Sequence, residues 1–248
     1  MINTAPIRLP PDASPLGKGA RRDDPTIDAA TLAERGHVVA PSLIEPDLCR
    51  SLAKMWPDQT RFRSHIVMQR HGFGQGEYQY FAYPLPEPVE RLRQALYPAL
   101  ARVANQWSTQ LGSARHYPPA LPAWLRECHQ GGQKRPTPLL LRYGAGDYNC
   151  LHRDLYGDLV FPLQATVLLS DPGRDFEGGE FMLVEQRPRM QSRGEVIGLG
   201  QGDAVIFAVN ERPVKGTRGF YRTAMRHGVS TVRRGQRFTL GIIFHDAA

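Results

Sequence analysis

The spacing of apolar residues changes character near residue 137. Before it, Val89, Leu92, Leu96, Leu100, Val103, Trp107 and Leu111 recur three or four apart and define one face of a long amphipathic helix. Pro98 is expected to kink that helix or divide it in two. Thr26 to Gly36 reads as a short helix, with Thr26 as N-cap and Gly36 as its stop. His37 to Ile44 reads as a strand, Glu45 to Met55 as a helix with Pro46 in its first turn, and Ala120 to Gln130 as another short helix. Residues 61–83 differ: Gly72, Gly74 and Gly76 separate two extended arms, and alternation puts Tyr78 and Tyr80 on one face. This segment reads as a Gly-rich hairpin, serving either as a lid or as part of the core. From Pro138 onward the period falls to two, in the runs LLLRY, LQATVLLS, GEFMLVEQ, DAVIFAV, MRHGVSTV and RFTLGIIFH, punctuated by Gly, Pro and Asp. That texture predicts a β-sandwich or jelly roll.

The organisation that follows is a loose arm over 1–25, a helical support region over 26–136 containing the hairpin, and a β-core over 137–248. Residues 26–248 would form one domain. A chain of 248 residues can bury a large core without disulfide staples. The three cysteines, Cys49, Cys128 and Cys150, are odd in number and have no C-x-x-C spacing, which fits a reducing cytosol. Cys150, two residues before a histidine, could be a ligand, but it reads more simply as a small buried hydrophobe. The N-terminal stretch has no apolar signal-peptide region, and no segment approaches the ~20 apolar residues of a membrane span. A soluble, cytoplasmic protein with no membrane partner is expected. The net charge of +7 favours polyanions, nucleic acid among them, although a solvated basic surface has the same composition.

The chemistry gathers in the β-core. His152-Arg153-Asp154 is an H-x-D pair at the end of a strand-like run. A second histidine, His227, lies 75 residues on inside another strand, and Arg237 follows it by ten. Two imidazoles and one carboxylate are the donor set of the facial triad that holds Fe(II) and leaves three coordination positions open. A 2-oxo acid such as 2-oxoglutarate fills two of them and O₂ the third. The far carboxylate of 2-oxoglutarate needs a fixed two-toothed donor, which an arginine supplies. Arg237 sits in an apolar strand where a charge must be paired or functional, and Thr239 shares its face. Taken singly, each residue could be a turn, cap or core residue. In this order and on β segments they point to metal and co-substrate. His245, beside the C-terminus, is a weaker rival ligand.

The segment R-Y-G-A-G-D-Y-N-C-L-H-R-D (142–154) resembles the R-Y-x-x-G-x-x-L-x-x-H-x-D of AlkB-like nucleic-acid dealkylases. It departs from it at Leu141, where those enzymes carry asparagine, and at Asn149, where they carry leucine. Their R-x-N-x-T-x-R signature is absent. Gly178-Gly179-Glu180-Phe181 and the His227-to-Arg237 spacing resemble prolyl 4-hydroxylase-like enzymes. Longer stretches, from RHGFGQGEYQYFAYPLP to RHGVSTVRRGQRFTLGIIFHD, are similar to a bacterial family described as oxygenases acting on damaged DNA, over residues from about 35 to the end. The resemblance implies a double-stranded β-helix (jelly roll, cupin-like) core under an α-helical N-terminal layer. It implies an Fe(II)- and 2-oxoglutarate-dependent dioxygenase that uses O₂ and releases succinate and CO₂. His152, Asp154 and His227 would hold the metal, Arg237 and Thr239 the co-substrate, and Tyr143 would donate its hydroxyl to 2-oxoglutarate. The substrate is left open among an alkylated base, a prolyl side chain and a small metabolite. A non-catalytic β-helix holding zinc or no metal is the alternative class.

Candidate substrate residues follow from aromatic and basic interleaving. Arg70, Phe73, Tyr78, Tyr80 and Tyr83 in the hairpin could stack and neutralise a single-stranded or flipped base. Arg187, Arg189 and Arg193 form one basic cluster, and Arg212, Lys215, Arg218 and Arg222 another. Both fall in predicted loops, where a β-core presents its substrate rim.

Overall fold

The computed structural model describes residues 27–248; the arm expected over 1–25 lies outside them. The first helix, α1 (Ala29–Arg35), is capped by Asp28, whose carboxylate accepts from the Thr31 N–H, and closed by Gly36 at φ 79. Asp28, a favoured capping residue, stands directly before the first helical turn, and Thr26, the expected cap, lies outside the described residues. Then come β1 (His37–Ala40) and α2 (Pro46–Ala53). The Gly-rich segment forms β2 (Phe62–Val67), a two-residue β3 (Gly74–Gln75) and β4 (Glu77–Phe81). The long helix α3 (Glu87–Gln110) runs unbroken through Pro98. The proline removes one backbone donor, but the stripe of Leu92, Leu96, Tyr97, Leu100, Val103 and Trp107 is buried on both sides of it. Packing of that face outweighs a local cost of ~3 kcal/mol. Helix α4 (Leu121–Gln130) completes the helical layer.

The remaining chain is β: β5 (Leu139–Tyr143), β6 (Tyr148–His152), β7 (Leu163–Leu168), β8 (Phe176–Gly178), β9 (Phe181–Gln186), β10 (Arg193–Ile197), β11 (Ala204–Ala208), β12 (Glu211–Gly216), β13 (Gly219–Val229), β14 (Val232–Gly235) and β15 (Arg237–Ile243). Seven strands form the larger sheet, in the order β1-β11-β7-β15-β5-β4-β2. A six-stranded sheet, β10-β9-β13-β6-β3 with β12 also on β13, forms the second layer. The two meet through their inner side chains, as where Phe207 of β11 packs on Phe181 of β9 and on His227 of β13. The hairpin arms β2 and β4 extend the edge of the larger sheet beside β5. One apolar cluster runs from Leu32 and Leu100 in the helices to Val167, Val205 and Ile242 in the larger sheet. No helix among the described residues is long and apolar enough to cross a membrane.

Candidate active site

Strand register brings the chemistry together. His227 of β13 lies directly across from His152 of β6, with a bulge between His227 and Val229. On the larger sheet, Arg237 of β15 pairs with Tyr143 of β5, and Thr239 lies between Leu141 and Leu168. Both sets line one cavity of about 300 Å³. The sequence places His152 at a strand end and His227 and Arg237 inside two further strands, and the pairing of those strands turns all three to one cavity.

His152, Asp154 and His227 offer ligand atoms that all lie within 4.8 Å of one another. Nε2 of His152 is 3.5 Å from Asp154 Oδ1, and Nε2 of His227 is 3.3 Å from Oδ2. The donor set fits a cation for a specific reason. His152 Nδ1 is 2.8 Å from the Cys150 carbonyl, which can only accept, so Nδ1 carries a proton. In the neutral ring, Nε2 then presents a lone pair to an acceptor-only carboxylate. A metal ion between them resolves that conflict. His227 Nδ1 is buried with no partner among the described residues. Burial would raise the Asp154 carboxyl, but the hydrogen bonds and charges of the two histidines hold it well below the usual carboxylate range.

Two residues that the sequence reading missed fix that carboxylate. The Tyr156 hydroxyl donates to Oδ1 at 2.8 Å and the Gln164 amide to Oδ2 at 2.9 Å. Tyr156 stands edge-on to Tyr80, with ring centroids 6.0 Å apart. A neutral amide in a fully buried strand carries no signal by type; only the two-residue offset of Tyr156 from Asp154 was visible in the sequence.

At the other pole of the cavity, Arg237 is 2 % exposed and has no ion pair among the described residues. Its Nε and one terminal nitrogen have no hydrogen-bond partner among the described residues. Burial pushes its pKa down to about 10, opposed by the neighbouring Tyr143 hydroxyl and Glu180 carboxylate. A buried guanidinium with free donors is a site for an incoming carboxylate. The GGEF run makes room for it. Gly179 adopts φ +64, and a Cβ there would lie 2.8 Å from Arg237 Cδ. Tyr143 is fully buried, its hydroxyl accepting from the Asn149 amide at 3.2 Å.

Of the substrate candidates, Phe73 and Tyr78 line the cavity, Phe73 standing 47 % exposed at its mouth. Tyr80 lies behind the wall against Tyr156. Tyr83 is exposed, but its hydroxyl is tied to two buried groups, donating to Asp246 at 2.9 Å and accepting from Arg93 at 3.1 Å. Arg70 sits exposed in the turn after β2, and Arg187 and Arg189 lie beyond the end of β9, none of them lining this cavity. His245 is buried apart from the triad, its Nδ1 accepting from the Phe161 N–H at 3.2 Å. Cys150 is exposed rather than a buried hydrophobe; it faces outward from β6 and contributes its carbonyl, not its thiol, to the site.

A family of oxygenases, described as catalysing oxidative methylation of damaged DNA, matches this chain over residues 76–247. The chain belongs to this family. It is therefore an oxygenase, and its core is the double-stranded β-helix. An uncharacterised protein of Mycobacterium tuberculosis, found in strains CDC 1551 / Oshkosh and ATCC 25618 / H37Rv, is 52% identical over 168 residues, covering 68% of this chain and 72% of the relative. Among solved structures, a Pseudomonas putida prolyl-4-hydroxylase superposes with a TM-score of 0.50 at 15% identity, over 86% of this chain and 94% of that one. A 2OG-Fe(II) oxygenase-family oxidoreductase from Burkholderia pseudomallei gives 0.50 at 17%, over 89% and 90%. The α-ketoglutarate-dependent epimerase SnoN of nogalamycin biosynthesis gives 0.52 at 15%, over 86% and 78%. At these identities the three structures establish the oxygenase's fold.

Proposed function

We propose that the oxygenase holds Fe(II) through His152, Asp154 and His227, binds 2-oxoglutarate with its far carboxylate on Arg237, and hydroxylates an alkyl C–H bond of a damaged nucleic-acid base. One observation carries the reading: three metal-type donors within 4.8 Å share a cavity with a buried guanidinium whose Nε and one terminal nitrogen are unpartnered among the described residues. When bound, Fe(II) activates O₂ as 2-oxoglutarate is converted to succinate and CO₂, and supplies the oxidant for the C–H bond. The protein's own contribution is positional. His152 is fixed in one tautomer by the Cys150 carbonyl, and Asp154 is held by Tyr156 and Gln164. Arg237 orients the co-substrate, with Thr239 and the Tyr143 hydroxyl as further donors on the same wall.

The nucleic-acid substrate is supported by the family's description, by the basic composition, and by the rings of Phe73 and Tyr78 lining the cavity. A cavity of about 300 Å³ takes one extruded group at a time, which suits a flipped base stacked on aromatic rings. One oxygen atom of O₂ enters the N-alkyl carbon and the other enters succinate. The resulting hemiaminal loses formaldehyde and leaves a restored N–H. Three unpaired cysteines and an Fe(II) requirement suit a reducing cytoplasm. The test is a panel of alkylated DNA, RNA, peptides and amino acids, incubated with Fe(II) and 2-oxoglutarate and scored by mass. Loss of 14 mass units (roughly one CH₂) from a methylated oligonucleotide, at one formaldehyde per succinate, is the expected result. A gain of one oxygen on a peptide, with every oligonucleotide unchanged, would overturn the substrate assignment.

A further inference from the structure

The two basic clusters of the sequence do not surround the active-site mouth. Arg187 and Arg193 of the first, and Arg212 and Lys215 of the second, line a separate cavity of about 810 Å³. It shares no lining residue with the active site. Its place in the fold follows from register. Leu183 of β9 lies across from His227, and Glu185, on the cavity floor, is two residues further along the same strand, about 7 Å away. Leu183, and Met225 across from Glu185, are buried members of the main apolar cluster. The active site occupies one end of the β-helix, and this chamber occupies the other, roofed by α1 and the end of α3.

The floor carries excess positive charge. Five cationic side chains, those of Arg35, Arg187, Arg193, Arg212 and Lys215, face three carboxylates, Glu34, Glu185 and Glu195. Glu185 is shared by two guanidiniums, Arg187 at 2.7 Å and Arg212 at 3.2 Å. Glu195 faces His37 at 3.5 Å. Arg35, Arg193 and Lys215 have no carboxylate partner among the described residues. Arg212 is not a surface residue folded back by chance. It is 3 % exposed, and a terminal nitrogen donates to the Glu34 carbonyl at 2.7 Å. Its Nε has no partner among the described residues. Its stem occupies space that only a glycine leaves, since a Cβ on Gly36 would lie 2.2 Å from Arg212 Cδ. A buried guanidinium that shares its one carboxylate is under-neutralised and calls for an added anion. Beside these cations, Phe220 presents a half-exposed ring, and Gln106 and Gln110 present amides.

We propose that this chamber is a second ligand site that takes a nucleotide, with phosphate on Arg193 and Lys215 above the Arg212 floor and the base against Phe220. Its volume lies within the range of small-ligand sites, roughly 300–1,000 Å³. The same chemistry could arrive as a free nucleotide or as one unit of a strand. Only the strand version rests on the nucleic-acid reading of the active site.

The experiment titrates the full chain calorimetrically with ADP and, separately, with an unalkylated 5′-phosphorylated oligonucleotide of about twelve residues, long enough to span a single-strand site. Three proteins are compared: wild type, Arg193→Glu with Lys215→Glu, and a control carrying the same charge change elsewhere, Arg126→Glu with Lys134→Glu. All four positions are exposed, so the folds should survive. Each lost charged phosphate contact should weaken binding about tenfold. Binding of ADP that is lost in the first variant and kept in the control supports a free-nucleotide site. Binding of the oligonucleotide alone, with the same pattern and a salt dependence shallower by about 0.7 per contact removed, supports the strand version. Phe220→Ala should weaken either ligand without altering the salt dependence. No binding by wild type, or equal binding by all three proteins, overturns the proposal. Because ADP is not a candidate substrate, its result stands even if no alkylated nucleic acid is turned over.

Discussion

Replacing Arg237 by alanine should leave the metal site intact and cripple 2-oxoglutarate binding. The guanidinium is buried, carries unpartnered nitrogens at Nε and at one terminal position, and faces a cavity that holds no other arginine except Arg153. Arg153 is committed to Asn210, to which it donates at 2.7 Å. Without Arg237 the far carboxylate would enter the cavity with no cationic partner. Loss of one member of a buried charge pair costs on the order of 3–5 kcal/mol. At about 1.4 kcal/mol per decade, that is a hundred- to several-thousand-fold rise in the apparent KM for 2-oxoglutarate. Arg237→Lys should recover only part, because an ammonium cannot reproduce the planar fork and its shorter reach leaves one oxygen unmet. The assay is succinate release against 2-oxoglutarate concentration, with bound metal measured in parallel. An unchanged KM in Arg237→Ala would refute the assignment, as would loss of metal along with activity.

Three further outcomes follow from the same geometry. Gly179→Ala forces about 1 kcal/mol or more of left-handed strain and a Cβ against Arg237, so the KM for 2-oxoglutarate should rise roughly fivefold or more with metal affinity unchanged; a lower KM would contradict the packing argument. Tyr156→Phe removes one donor to Asp154 and should weaken Mn²⁺ binding about 10- to 100-fold by calorimetry, an effect that a cavity-filling role for the ring would not produce. Burial pushes His245 down to about 4, so the unfolded chain alone takes up that proton between pH 6.5 and 4, and stability should fall as pH is lowered through that window by up to about 3 kcal/mol. His245→Asn should shallow that slope in urea melts, and an identical slope would show that His245 is not the group responsible.

The candidate site was legible where chemistry and period coincide. His227 and Arg237 stand at inward positions of strands whose alternation is plain in the sequence, and a charge in such a strand has few structural uses. Gln164 was not legible, because a neutral amide in LQATVLLS looks like one polar position among others, and only register with Asp154 gives it a role. Strands β10 and β12 were hidden for a different reason. Each is at an edge, and β12 contains Pro213, which an edge strand tolerates and a central one does not. The arginine clusters were visible as charge, but sequence does not say which end of a β-helix a hairpin occupies. Register does: it sets Leu183 across from His227 and so puts Arg187, beyond Glu185, four residues along the chain from that point.

The central claim is that His152, Asp154 and His227 form an iron site on which 2-oxoglutarate turnover depends. It is tested most directly by measuring succinate release from metal-stripped protein as Fe(II) is added back, for wild type and for Asp154→Ala side by side. The account predicts turnover in wild type that saturates near one Fe(II) per chain and none in the variant at any iron concentration. Near-normal succinate release by Asp154→Ala, or none from iron-loaded wild type, would contradict it.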